Sequence, residues 1–218
     1  MSETAVLCSY CPHKRCYAGD LSQAPDFCPT LKKADVVRSS KKMLKEPKTQ
    51  KMAQDVARTW KAYGKLTRVE ETVLYAKLQG HKKLGIAFCV GLSAEAELLT
   101  NVFINEGFDV VSACCMCGSL TSEDVNLPEE DKVVSNARQP MCNPIGQALV
   151  LDSENCDLNI VLGLCVGDDT LFIRHSKAPV TILAVKDRVL SHHPLLALYE
   201  AKEGKRDINV SRPQIAAS

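Results

Sequence analysis

The chain changes its hydrophobic rhythm once. Over residues 31–83 apolar positions recur at helical spacing among many lysines and arginines. From residue 84, short continuous apolar runs alternate with stretches of helical period. "LGIAFCVGL", "FDVVSACC", "LNIVLGLC" and "PVTILAV" read as strands. Continuous apolar strands suit a sheet covered on both faces. Strands alternating with helices predict right-handed crossovers and a parallel sheet. The expected fold class is α/β: a three-layer α/β/α domain at 84–204 with a mostly parallel sheet of about four strands. A small Cys-rich module at 1–30 and a basic helical segment at 31–83 precede it. A tail follows at 205–218.

Local signals mark the helix ends. "EPKTQKMAQDVARTWKAYG" places Pro47 in a first turn and Gly64 as a stop. "LTRVEETVLYAKLQG" offers Thr67 and Glu70 as a capping box and Gly80 as C-cap. Val69, Val73 and Ala76 share one face of that helix, which predicts packing on a core. "SAEAELLTNVFINEG" has Ser93 as N-cap and Gly107 as C-cap, and "NPIGQALVL" has Asn143 as N-cap before Pro144. "DDTLFIRHS" is a short helix, and a last helix starts at Pro194 in "HPLLALYEAKEG". Residues 118–140 are polar and predict a long excursion, with a short strand or turn near Val133. Long excursions in compact domains are often functional.

Composition narrows the class. With 218 residues, 45% of them apolar, the chain can build one sizeable core or one core plus a small appendage. It shows no secretory leader pattern and no bilayer-length apolar run, so a soluble cytoplasmic protein without a membrane partner is expected. The net charge of +1 hides an asymmetry. Residues 1–83 carry 17 Lys+Arg against 8 Asp+Glu, and residues 84–218 carry 10 against 18. No stacking aromatics interleave with the lysines, which favours two solvated faces that attract each other over a nucleic-acid partner.

Eleven cysteines change the picture more. A disulfide framework belongs to short secreted chains, so metal binding or thiol chemistry is favoured. "CSYCPHKRCYAGDLSQAPDFCPT" spaces Cys8, Cys11, Cys16 and Cys28 as C-x2-C-x4-C-x11-C. Four thiolates suit tetrahedral zinc and equally an iron–sulfur cluster, and the spacing leaves both open. The segment is too poor in apolar residues to fold by burial, so the metal would organise it.

A second group is dispersed in sequence. In an open α/β sheet, ligands collect beyond the carboxyl ends of the strands. Cys89 ends the first strand, Cys115 and Cys117 follow the second with Cys114, and Cys165 ends the third. Cys142 immediately precedes the helix at Asn143, and Asp187, Arg188, His192 and His193 follow the fourth strand. The topology brings all of these to one edge, where helix N-termini favour thiolates. Alternation makes Cys114 the core residue of its group and turns Cys115 away. Cys156, before a strand, lies at the opposite edge as a structural residue.

"IAFCVGLSAEAELL" and "VLGLCVGDDTLFI" echo each other, so Cys89 and Cys165 take equivalent places. "GLCVG" also matches the strand–turn–helix nucleophile motif of α/β-hydrolases, with Cys165 as nucleophile. His192 or His193 could then be the base and Asp187 its orienter. The surplus thiols have no place in a triad and favour a shared thiolate site.

The N-terminal motif, with "MCNPIGQALVL", "GLCVGDDTLFIRHSKAP" and "TILAVKDRVLSHHPLLALY", resembles the prokaryotic domain-of-unknown-function family 1847. The resemblance covers about residues 5–30 and 84–200 and implies metal binding without naming a reaction. The family pattern carries a His after the second glycine of "GLCVG", where this chain has Asp168. The leading expectation is a metal-binding protein holding zinc or an iron–sulfur cluster through Cys8, Cys11, Cys16 and Cys28. Cys89, Cys115, Cys117, Cys142 and Cys165 would form a second site, beside which Asp187, Arg188 and His192 move protons or bind anions. Its partners would be the metal ion or cluster and a small molecule or electron-transfer protein. One alternative is a thiol- or sulfur-chemistry enzyme using Cys165 or Cys142 as nucleophile. Another is a zinc-knuckle adaptor for RNA or a protein.

Overall fold

Pro47, the Thr67–Glu70 box and Gly80 act where they stand in the basic stretch, but the helix opened by Pro47 ends at Trp60 with Lys61 as its cap, short of the expected stop at Gly64, and the stretch itself is divided. The computed structural model describes residues 5–208. The chain splits into two units, Met1–Tyr63 and Gly64–Ser218. The last part of the expected 31–83 segment therefore belongs with the sheet. Residues 209–218 of the expected tail lie outside the described residues.

The first unit opens with single 3-10 turns at Cys8–Tyr10 and Arg15–Ala18. Helices α1 (Pro29–Lys32), α2 (Ala34–Met43) and α3 (Pro47–Trp60) follow. Pro29 and Pro47 each open a helix, where a missing N–H leaves no bond unmade. Among its described residues only Cys28 and Asp55 are buried. The Asp55 carboxylate is held by Lys51, at 2.6 Å, and by Arg58.

The second unit begins with α4 (Arg68–Gln79), closed by the Thr67–Glu70 capping box and by Gly80 at φ +76°. Then come β1 (Lys83–Phe88), α5 (Ser93–Asn105), β2 (Asp109–Cys114), α6 (Pro144–Ser153) and β3 (Leu158–Leu164). Helix α7 (Asp168–His175), β4 (Val180–Val185) and α8 (Leu195–Lys202) complete it. The four strands are all parallel, in the order β2-β1-β3-β4. Helices α4 and α5 cover one face, where Ala76, Leu99 and Phe103 pack on Leu84, Ile86 and Ile160. Helices α6 and α7 cover the other, where Ala148, Leu151 and Phe172 pack on Ala87 and Val161. This is the expected three-layer α/β/α fold. Every residue of central β3 is buried, as its unbroken apolar run requires.

Two local expectations change. Ser93 is the first helical residue of α5 rather than its cap, because a 3-10 turn at Val90–Leu92 leads the chain in. Its hydroxyl donates instead to the Val90 carbonyl at 2.6 Å. Val133 lies in no strand and is exposed. The excursion around it is held by Lys132, which bonds Glu123 at 2.9 Å and Glu129 at 2.5 Å. Among the described residues no helix is long and apolar enough to cross a membrane.

Candidate functional site

The strand order fixes where a site can form. From β1 the chain goes to β2 on one side, then to β3 on the other, so the order reverses between β1 and β3. Their carboxyl ends diverge there and leave the crevice that open α/β sheets use for ligands. Cys89 leaves β1 at this point, its N–H bonded to the Leu162 carbonyl at 3.2 Å. Cys165 leaves β3 directly opposite. Between them Gly163 adopts φ +68°, and Leu92 fills the space a side chain would occupy. A Cβ on Gly163 would lie 2.0 Å from Leu92 Cδ1, so only glycine fits.

Two further thiols reach the crevice through the loop after β2. Cys115 donates its N–H to Phe88 O at 2.8 Å, and its own carbonyl accepts Asn143 N at 2.7 Å. The second bond returns the excursion to the sheet and seats Cys142 beside Cys115. Asn143 caps α6 by accepting Gly146 N at 2.8 Å, and its amide donates to Cys117 O at 3.1 Å. The Cys115 sulfur accepts Val90 N at 3.3 Å.

The side chains act on one another electrostatically. Cys142 lies within reach of Cys115 and of the Asp168 carboxylate, both of which bear on its thiol. Cys89 interacts with Cys115 and with Cys165, and Cys165 interacts with Asp168. Asp168 acts on both Cys142 and Cys165, so four thiols and one carboxylate, the thiol ring, gather around this edge. Burial pushes the Cys115 thiol up to about 11, helped by Cys89 and Cys114 against the Val90 N–H. Burial, then Asp168 and Cys115, push Cys142 up further. Cys165 is raised by burial, Cys89 and Asp168, while Lys186 and Arg188 pull it down. Lys186 and Arg188 are thus two cations that favour the Cys165 thiolate.

The other candidates take separate places. Cys115 is buried at 1% exposure and Cys114 is not, the reverse of the expected assignment. Alternation sets Cys115 on the face of Ala113, and that face lies in the core under α6 and α7. Cys117 stands off the ring, its thiol donating to Asn143 O at 3.8 Å. Cys156 is buried before β3, at the opposite edge as expected. Asp187 and His192 close their own loop: Asp187 Oδ1 accepts Val189 N and Leu190 N, and His192 Nδ1 accepts Asp187 N. That bond leaves His192 protonated on Nε2. Cys165 is not among the positive-φ residues, so the strained backbone of a hydrolase elbow is missing at the nucleophile.

In the first unit, Cys11, Cys16 and Cys28 line one pocket of about 20 Å³, together with His13 and Asp20. Cys8 is exposed and does not line it. Cys11 Sγ accepts Lys14 N at 3.5 Å. Burial raises Cys28, but N–H bonds from Leu31 and Thr30 at the start of α1 outweigh it and lower its pKa. Sulfurs that accept N–H bonds in this way are suited to be thiolate ligands. Among the described residues, no three His, Cys, Asp or Glu side chains stand close enough to share one metal ion.

Sequence reasoning passed over Gln147, Lys186 and Gly91. Gln147 is fully buried in α6 and donates to Phe88 O at 3.1 Å and Ala113 O at 2.7 Å. It ties together the two strand ends that carry Cys89 and Cys115. The signal was a polar residue on the apolar stripe Pro144–Ala148–Leu151. Its Oε1 is buried without a hydrogen-bond partner.

The family described as "Protein of unknown function (DUF1847)" matches residues 28–183. The whole ring lies inside that span, whereas Cys8, Cys11 and Cys16 lie before it. An uncharacterised protein of Methanocaldococcus jannaschii, MJ0455, is 40% identical over 196 residues, covering 89% of this chain and 94% of that protein.

Proposed function

This chain belongs to the DUF1847 family, and from that premise we propose that it is a metal-binding protein whose working site is the thiol ring at the sheet edge. What supports the reading is the placement of Cys89, Cys115, Cys142 and Cys165 at the strand ends beside the switch point, by backbone bonds that bring the loops after β1, β2 and the 118–140 excursion together. Four thiols from separate loops would be an unusual outcome of packing alone, since two of them are only half-buried. The N-terminal cysteines serve a different purpose. Cys11, Cys16 and Cys28, which line one pocket, would close with Cys8 around one ion and so organise a unit with almost no apolar interior. The pocket's 20 Å³ has room for one water-sized body, which favours zinc over an iron–sulfur cluster. A cytoplasmic location goes with this reading, because reduced thiols need a reducing compartment.

The enzyme reading differs in making one ring thiol a nucleophile. Lys186 and Arg188 act on Cys165, which favours Cys165 over Cys142 for that part. Cys142 is held as a thiol by burial and by Asp168.

Anaerobic purification followed by metal analysis tests the proposal. A colourless protein with one zinc per chain is expected, and Cys11→Ser with Cys28→Ser should lose it while Cys165→Ser keeps it. Protein containing neither zinc nor iron would overturn metal binding.

A further inference from the structure

Two cations gather beside the thiol ring without a carboxylate to hold them. Gly91, in the 3-10 turn between β1 and α5, presents a bare backbone face. A Cβ there would meet Arg188 Nη2 at 2.5 Å and Lys186 Nζ at 3.1 Å, so both cationic heads rest on that face. Among the described residues neither head forms an ion pair. Like charges brought together repel, and a protein normally balances them with an acid. The thiol next to them is Cys165, which follows Leu164 at the end of β3 and on which both charges act. Their positions are set by the backbone: Lys186 N bonds Leu164 O at 3.2 Å, which extends β4 along β3 up to Cys165. The Asp187 turn then sends Arg188 back over the crevice.

We propose that Lys186 and Arg188, seated on Gly91, form an oxyanion-binding subsite that presents an anionic small molecule to Cys165. The ligand carries a carboxylate or phosphate at one end and a thiol-reactive atom at the other. Guanidinium and ammonium groups suit that end chemically, the first by paired hydrogen bonds and the second as a point charge. The switch-point crevice suits it by position. The inference rests on the thiol ring as the working site and adds the class of molecule that the site takes.

Alkylation of the full-length protein tests it. Iodoacetate and iodoacetamide differ chiefly in charge. In both, the Cys165 sulfur forms a bond to carbon as the carbon–iodine bond breaks, iodide leaves, and the thiol proton passes to buffer. Peptide mass spectrometry gives the two rates at Cys165, and N-acetylcysteine amide supplies the reference ratio. The charged reagent should be favoured at Cys165 by about fivefold over that reference at low salt, a preference that fades as salt screens it. Lys186→Gln with Arg188→Gln should abolish the preference. Gly91→Ala should reduce it by displacing both heads while retaining both cationic residues, so it serves as the test should the double variant misfold. Protection of Cys165 by inorganic phosphate but not by acetate at equal ionic strength marks the anion as a phosphate, and the reverse marks it as a carboxylate. A rate ratio equal to the reference and unchanged in the variants overturns the oxyanion subsite and leaves the thiol ring standing. A Cys165 that reacts with neither reagent overturns both.

Discussion

Residues 64–208 bury two apolar clusters, one on each side of a sheet, with Leu84, Ile86 and Phe103 in the first and Leu151, Leu164 and Phe172 in the second. Residues 5–63 leave Val36, Met43, Val56, Trp60 and Tyr63 exposed and bury only Cys28 and Asp55. Both regions are rich in cysteine, yet the thiols stand in opposite relations to the fold. In the α/β unit, burial and strand pairing build the scaffold first, and the thiols are carried to its edge as a consequence. In the N-terminal unit there is little burial to build with, and on the proposed reading the thiols supply the energy through a bound ion. A cysteine-rich segment can therefore be the cause of a structure or its cargo, and the surrounding apolar area separates the two.

The sharpest way to break this contrast is to remove the metal. A strong chelator should open the N-terminal unit and speed proteolysis within residues 5–63 by about tenfold or more, since local opening exposes the backbone. The α/β unit should keep its denaturation midpoint in the same sample. Equal loss in both units, read by mass spectrometry of the fragments, would erase the distinction. The converse experiment is Phe103→Ala, in the fully buried centre of the α4–α5 face. It should cost the α/β unit about 3–5 kcal/mol in urea unfolding, the usual range for a deleted core phenylalanine, with zinc content unchanged.

A smaller effect tests the crevice itself. Gly163→Ala meets both a positive φ and Leu92, and should cost about 1–3 kcal/mol while raising the alkylation rates of Cys89 and Cys115. A neutral outcome in urea unfolding would mean that the strand end adjusts freely. The smallest effect is a pH slope. Cys115 titrates higher in the fold than in the open chain, so its burial adds stability that is complete below pH 8.5 or so. That stability is lost as pH rises from the unfolded value toward about 11, where the folded thiol ionises. The decline between those limits should be shallower in Cys115→Ala than in the unsubstituted protein, and parallel curves would show that the buried thiol contributes no linkage.

Much of the fold was legible in the sequence because its signals are local. Continuous apolar runs marked each strand, and Thr67, Glu70, Gly80, Asn143 and Pro144 marked helix ends where they stand. The Cys89–Cys165 echo was legible for the same reason, since each follows its strand directly. Ser93 was misread because a 3-10 turn and a cap share residue preferences. Cys114 and Cys115 exchanged roles because the sequence does not reveal which face of an edge strand the helices cover. Lys186 and Gly91 were invisible, since their meeting depends on two loops from different strands.

The sequence by itself determined the α/β class, several helix limits such as those at Thr67, Gly80 and Asn143, and a set of cysteines at strand ends, because period and capping act over a few residues. Only the tertiary structure decided which thiols meet. Strand order set β1 beside β3, so Cys89 and Cys165 became neighbours across the switch point. One backbone bond from Asn143 to Cys115 brought Cys142 back across the 118–140 excursion. Those contacts span long stretches of chain, and they form only once burial of the sheet offsets the entropy of closing the loops between them.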